Sequence, residues 1–162
     1  MVGCGNTWNS CTRSGWFDVN WHLEIDPLLC RGRRLMIWTQ TIESLPLDKP
    51  NHNGRIYKTQ AVDIAIAEYM DKSDKLGMFD QPVHSSLDLS KVSHEVLNIT
   101  IIEDAVLLTI KTLDTPLGKQ LRDVLLSDGV DFHMNSIGYV DENSVVYDIE
   151  NILSINAHTK EE

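Results

Sequence analysis

Basic residues are few in this sequence: 14 Lys and Arg stand against 24 Asp and Glu in 162 residues, a formal net charge of −10. Binding to nucleic-acid phosphates needs a basic surface, so direct contact with DNA or RNA is not expected. The cluster Arg31, Arg33 and Arg34 is too short to reverse the balance and reads as a solvated strand entry. Long apolar runs are also missing. The longest stretch, Leu97 to Ile110, is interrupted by Glu103 and Asp104, whereas a membrane-crossing helix needs about 20 largely apolar residues. Cysteine is limited to Cys4, Cys11 and Cys30. An odd count without a Cys/His set at zinc spacing predicts reduced thiols, no metal and no cofactor. No basic segment followed by an apolar run opens the sequence, so no secretory signal is expected.

What is present is near the globular average, with 42% hydrophobic and 23% charged residues. The length predicts one main domain, burying roughly 70% of its unfolded surface. Charge is distributed unevenly. Residues 1–60 hold seven Lys/Arg and five Asp/Glu; residues 61–162 hold seven and nineteen. All four tryptophans and all three cysteines fall within the first 38 residues. Residues 1–30 show no clean period and read as an irregular, Trp-rich arm, with 31–157 as the folded domain and 158–162 as a polar tail. Trp8, Trp16 and Trp21 are the candidate partner-binding residues of that arm; packing on the chain's own domain is the competing reading.

Element signals alternate between strand and helix. A β-rich run from Arg34 to Ile42 predicts a strand. A loop with Pro46, Pro50 and Asn53-Gly54 follows. Thr59 can cap a helix whose apolar residues Val62, Ala65, Ile66, Tyr69 and Met70 keep helical spacing, ending near Gly77. Phe79–Leu89 is loop-like. Val92–Ile102 and Ala105–Leu113 flank Glu103-Asp104 as a hairpin. Thr115 with Pro116 starts a second helix, with Leu117, Leu121, Val124 and Leu125 on one face and Gly129 past its end. Short strands around Met134–Val140 and Ser144–Ile155 complete an α+β domain, read as a barrel decorated by helices.

Four polar blocks could carry chemistry: Asn51–Tyr57, Asp80–Ser86, Ser93-His94 and His133–Tyr139. Each has a plain structural reading: a glycine-containing turn, a solvated loop, a hydrogen-bonded strand position and a strand start. Their order and spacing, together with Leu113-Asp114-Thr115-Pro116-Leu117-Gly118-Lys119, resemble the prohead core protein proteases of tailed bacteriophages. Members of that family read "NRNGRIY", "GELDHPEHSSVDL", "VSH", "LDTPAGK" and "GVSSRG" along the same path. The resemblance spans about residues 34–140. It implies a herpesvirus-assemblin-type serine protease fold, a β-barrel with surrounding helices, working inside the immature capsid.

The departures from that pattern are chemical. The family's histidine before proline is replaced by Gln81, its nucleophile position by Asn135 and the following arginine by Ile137. A carboxamide is no general base at neutral pH, and Asn135 has no hydroxyl to attack a carbonyl. The resemblance therefore implies a degenerate protease, a structural protein of the virion assembled in the bacterial cytoplasm. Its partners would be capsid, connector or other virion proteins, and self-association is compatible with this. The active alternative uses His84, three residues past Gln81, and Ser136, one past Asn135, with His94 as a third member. A one-residue slip reverses a strand side chain, so Ser136 substitutes only where a bulge shifts the register.

Overall fold

The computed structural model describes residues 36–82 and 87–160. The arm residues Trp8, Trp16 and Trp21, the three cysteines, the basic cluster and His84 lie outside the described residues. Among these residues, seven strands and two α-helices follow in the order β1 (Ile37–Thr41), β2 (Ile56–Tyr57), α1 (Thr59–Met70), β3 (Leu76–Met78), β4 (Val92–Ile102), β5 (Ala105–Thr112), α2 (Pro116–Leu125), β6 (Val130–Val140) and β7 (Val145–Thr159).

The β4–β5 hairpin turns at Glu103-Asp104, where Glu103 adopts φ +56°. It forms the centre of a four-stranded sheet ordered β1-β5-β4-β3. Alternation along β5 buries Val106, Leu108, Ile110 and Thr112. The second sheet, ordered β2-β7-β6, is dominated by the long antiparallel β6–β7 pair, with β2 parallel to the start of β7. Helix α1 packs on β7 and α2 on β4. Val62, Ala65, Ile66 and Tyr69 form the buried stripe of α1, and each large side chain contributes about 1.5–3 kcal/mol of burial.

The α+β class is observed, but the strands do not close into a barrel. Two seams interrupt the ring, and side chains stitch both. At one seam, Gln40 Nε2 donates to the Val130 carbonyl and Ser44 Oγ to that of Phe132, each at 2.8 Å. At the other, the chain leaving β3 makes a single bridge between Phe79 and Ala157. Met78 N donates to Asn156 Oδ1 at 3.1 Å, and the Asp80 carboxylate accepts from both Thr159 N and Thr159 Oγ1 at 2.7 Å. Side chains thus satisfy groups that a continuous ladder would otherwise pair.

Local details also differ from the sequence expectation. Lys58, not Thr59, occupies the cap position of α1; Thr59 Oγ1 instead donates to Asp48 at 2.6 Å. The helix stops at Met70, because Lys75–Met78 is drawn into pairing with β4 and Gly77 becomes a strand residue. Strands β6 and β7 are longer than expected: β6 starts at Val130, and β7 runs through His158 and Thr159, two residues beyond the anticipated domain edge.

The reason lies in β7's bulges. Register shifts leave Tyr147, Glu150 and Leu153 without direct partners on β6. Each bulge inserts one residue, so Val146, Ile149, Ile152 and Ile155 are buried at a spacing of three. A strand with that spacing loses the two-residue alternation by which strands are recognised.

Candidate functional site

The bulged β6–β7 pair and the loop before β2 enclose a cleft of about 490 Å³. The loop wall is built locally. Asn51 Oδ1 accepts from the backbone N–H groups of Asn53 and Arg55, both at 3.0 Å, and Gly54 takes φ +73°. That conformation favours glycine, which lacks the Cβ that crowds the left-handed region. Asn51, His52, Asn53, Arg55 and Tyr57 line this side. His133, Met134, Asn135, Ser136 and Gly138 line the β6 side, with Ile149, Asn156 and His158 from β7.

Asn135 and Ser136 therefore reach the same cleft. Asn135 pairs with Ser154 and Ser136 with Ile152, the bulged Leu153 lying between. Among the described residues, the Ser136 hydroxyl makes no hydrogen bond to a histidine. Gln81 is not among the lining residues. Its Nε2 donates to the Phe79 carbonyl at 3.1 Å and to that of Asp80 at 3.4 Å.

His94 also lies elsewhere. It is fully buried in the β3–β7 seam, where Nε2 donates to the Ile155 carbonyl at 3.0 Å. The other ring nitrogen, Nδ1, then accepts from Ser93 Oγ at 2.8 Å. Burial, opposed in part by the Ile155 hydrogen bond, lowers its pKa to about 4. The only Ser–His hydrogen bond among the described residues is thus between two side chains with no solvent access, and a substrate cannot reach it.

Sequence reasoning missed a second cluster. Across the β6–β7 register Asp131 stands opposite His158 and His133 opposite Asn156. His133 Nε2 lies 3.2 Å from Asp131 Oδ2, and the His133 and His158 rings meet edge to face at 5.0 Å. Burial, followed by repulsion from His133, lowers the His158 pKa, against the attraction of Asp80 and Asp131. Burial pushes the Asp131 carboxyl up, but the hydrogen bond and charge of His133, the Phe132 N–H and the charge of Lys160 together hold the group below its usual range. The spacing of Asp131 and His133 puts both on one strand face. Their approach to His158 depends on hairpin register, which spacing alone does not specify. The cluster can orient an imidazole at the cleft wall, next to the strand positions of Asn135 and Ser136.

No family model matches the chain, and no curated protein matches its sequence. Among solved structures, the chain is similar to the bacteriophage T4 capsid assembly protease, with a TM-score of 0.70 and 14% sequence identity over 88% of this chain and 92% of that one. Likeness at this identity is a likeness of fold, and the fold of the chain is accordingly α+β and prohead-protease-like.

Proposed function

We propose that the chain is a bacteriophage structural protein that uses a prohead-protease-like fold to bind capsid, connector or other virion proteins, without proteolytic activity. The observation that carries this reading is the pair Gln81 and Asn135 at the positions where the resemblance expects the base and the nucleophile. Gln81 turns its amide toward carbonyls of its own segment, and Asn135 is among the residues lining the cleft. Loss of one triad member already leaves only about 10³–10⁴-fold acceleration from binding and oxyanion contacts. The role places the protein in the virion, after assembly in the host cytoplasm.

One observation favours a second reading, an active maturation serine protease. Ser136 lines the same cleft as Asn135, next to a register shift. In that reading His84 supplies the base. Incubation with phage scaffold and capsid precursor, with and without Ser136→Ala, separates the two. No specific cleavage and no labelling of Ser136 by a fluorophosphonate are expected from the folded protein. Specific cleavage lost in Ser136→Ala overturns the structural reading.

A further inference from the structure

Among the described residues, nothing pairs with the outer edge of the distal half of β6. Among the described residues, β6 is the outer strand of its sheet and pairs only with β7. Beyond Phe132, whose carbonyl takes the Ser44 hydroxyl, its other row of backbone groups has no backbone partner among the described residues. Edge strands of natural proteins are normally blunted by lysine, proline, an inward charge or a bulge; here the inserted residues belong to β7, not to the edge strand. This one reads Ser136-Ile137-Gly138-Tyr139-Val140, without a charge or a proline. Ile137 is 50% exposed and Tyr139 55%. They alternate with Ser136, Gly138 and Val140, which line the cleft, so the two apolar side chains belong to the opposite face.

The hairpin that carries this edge is itself acidic, although Lys72 reaches it from α1's end to bond Asn151 and the Ile152 carbonyl, and Arg55 lines the cleft. No Lys or Arg occurs between Arg122 and Lys160. Asp141, Glu142, Asp148 and Glu150 are exposed on the same hairpin, and none takes part in an ion pair among the described residues. Asp148 stands directly opposite Tyr139. An apolar edge whose hairpin carries four exposed carboxylates outside any ion pair among the described residues is complementary to an extended segment alternating apolar and basic side chains. Self-pairing would bring two such acidic hairpins together, and like charges across an interface disfavour association.

We propose that residues 134–140 of β6 accept a basic, apolar segment of another protein as an added strand. Main-chain hydrogen bonds supply affinity, Ile137 and Tyr139 supply apolar contacts, and the four carboxylates select lysine or arginine in the partner. The proposal rests on the binding-protein reading only in assigning a polypeptide partner.

The test uses the full chain and labelled nine-residue peptides: alternating Lys/Val, alternating Glu/Val, and the Lys/Val peptide with N-methylated alternate amides. Fluorescence anisotropy should show the Lys/Val peptide binding at least tenfold more tightly than the other two, and more weakly as salt rises. Hydrogen exchange should slow within residues 134–140 on binding. Ile137→Lys with Tyr139→Lys should weaken binding at least tenfold, and Asp148→Lys with Glu150→Lys should shift preference to the Glu/Val peptide. Equal binding of the two charge types, or unchanged exchange at 134–140, overturns the proposal. So does a concentration-dependent dimer abolished by Tyr139→Lys, because the occupant is then a second copy. If the Ile137/Tyr139 double variant still binds capsid protein normally, the edge assignment fails while the binding-protein reading stands. Cleavage dependent on Ser136 has the opposite effect.

Discussion

His94 Nε2 donates to the carbonyl of Ile155 at 3.0 Å, joining β4 of one sheet to β7 of the other where no ladder runs. The bond needs a proton on Nε2, and the Ser93 hydroxyl donates to Nδ1, so the seam is satisfied by a neutral ring.

The neutral ring makes the fold acid-sensitive. The folded His94 takes up a proton only near pH 4, while an unfolded histidine does so near 6.5. Between these values the unfolded chain binds more protons, so stability falls as pH is lowered through the window. The contribution is fully present above about pH 6.5 and amounts to about 3 kcal/mol lost by pH 4. His158, also lowered, adds to the same slope. Urea unfolding at pH 7.5, 6, 5 and 4 should show this decline, flattened in His94→Gln. An unchanged slope in that variant would remove the assignment to His94.

The same seam leaves no room at Gly77. A Cβ built there would stand 2.2 Å from the Ile155 carbonyl oxygen and 2.3 Å from His94 Nε2. One of the obstacles is backbone, so β3 and β7 must separate to admit a methyl group. Gly77→Ala should destabilise by about 1–3 kcal/mol or more, the cost of overpacking a tight site. A measured midpoint within error of the parent would contradict the seam geometry.

Asp80 fastens the end of this seam. Its carboxylate holds Thr159 N and Thr159 Oγ1, and its own φ is +49°. Alanine loses both acceptors and lacks the polar side chain by which Asp and Asn tolerate the left-handed backbone, a conformation that otherwise costs about 1–2 kcal/mol. Asparagine tolerates that conformation and retains one acceptor. Asp80→Ala should therefore lower the unfolding midpoint more than Asp80→Asn. Faster amide exchange at Thr159 in both variants would report opening of the latch.

Some of this structure is legible in sequence because the determinants are local. Thr115 accepts from Gly118 N at 2.9 Å, and Pro116 begins α2, a capping pattern visible without any fold. The β4–β5 turn at Glu103-Asp104 is equally local. Asn51–Gly54 is readable as a turn, since its side-chain and backbone bonds span at most four residues. The seams and the His133–His158 contact are not readable, because each joins residues whose proximity depends on sheet order and register. Gln81 and Asn135 stand out only against a family pattern. Their placement, one in the cleft lining and one outside it, is a property of the folded chain.

The bulges of β7 make the sharpest test of register. Ile152 and Leu153 are adjacent aliphatic residues, yet Ile152 is 1% exposed and Leu153 46%. With a regular two-residue alternation, the buried positions Val146, Ile149, Ile152 and Ile155 could not all face the core. The three inserted residues resolve the conflict by resetting the pleat every third position. Ile152→Ala should cost about 2–5 kcal/mol, the range for removing a buried aliphatic side chain. Leu153→Ala should change stability by no more than about 0.5 kcal/mol, the usual range for a surface substitution. Chemical denaturation of the pair decides the matter. Equal costs, or a larger cost at Leu153, would mean that β7 pairs with β6 in another register, moving Ser136 and Asn135 relative to the cleft.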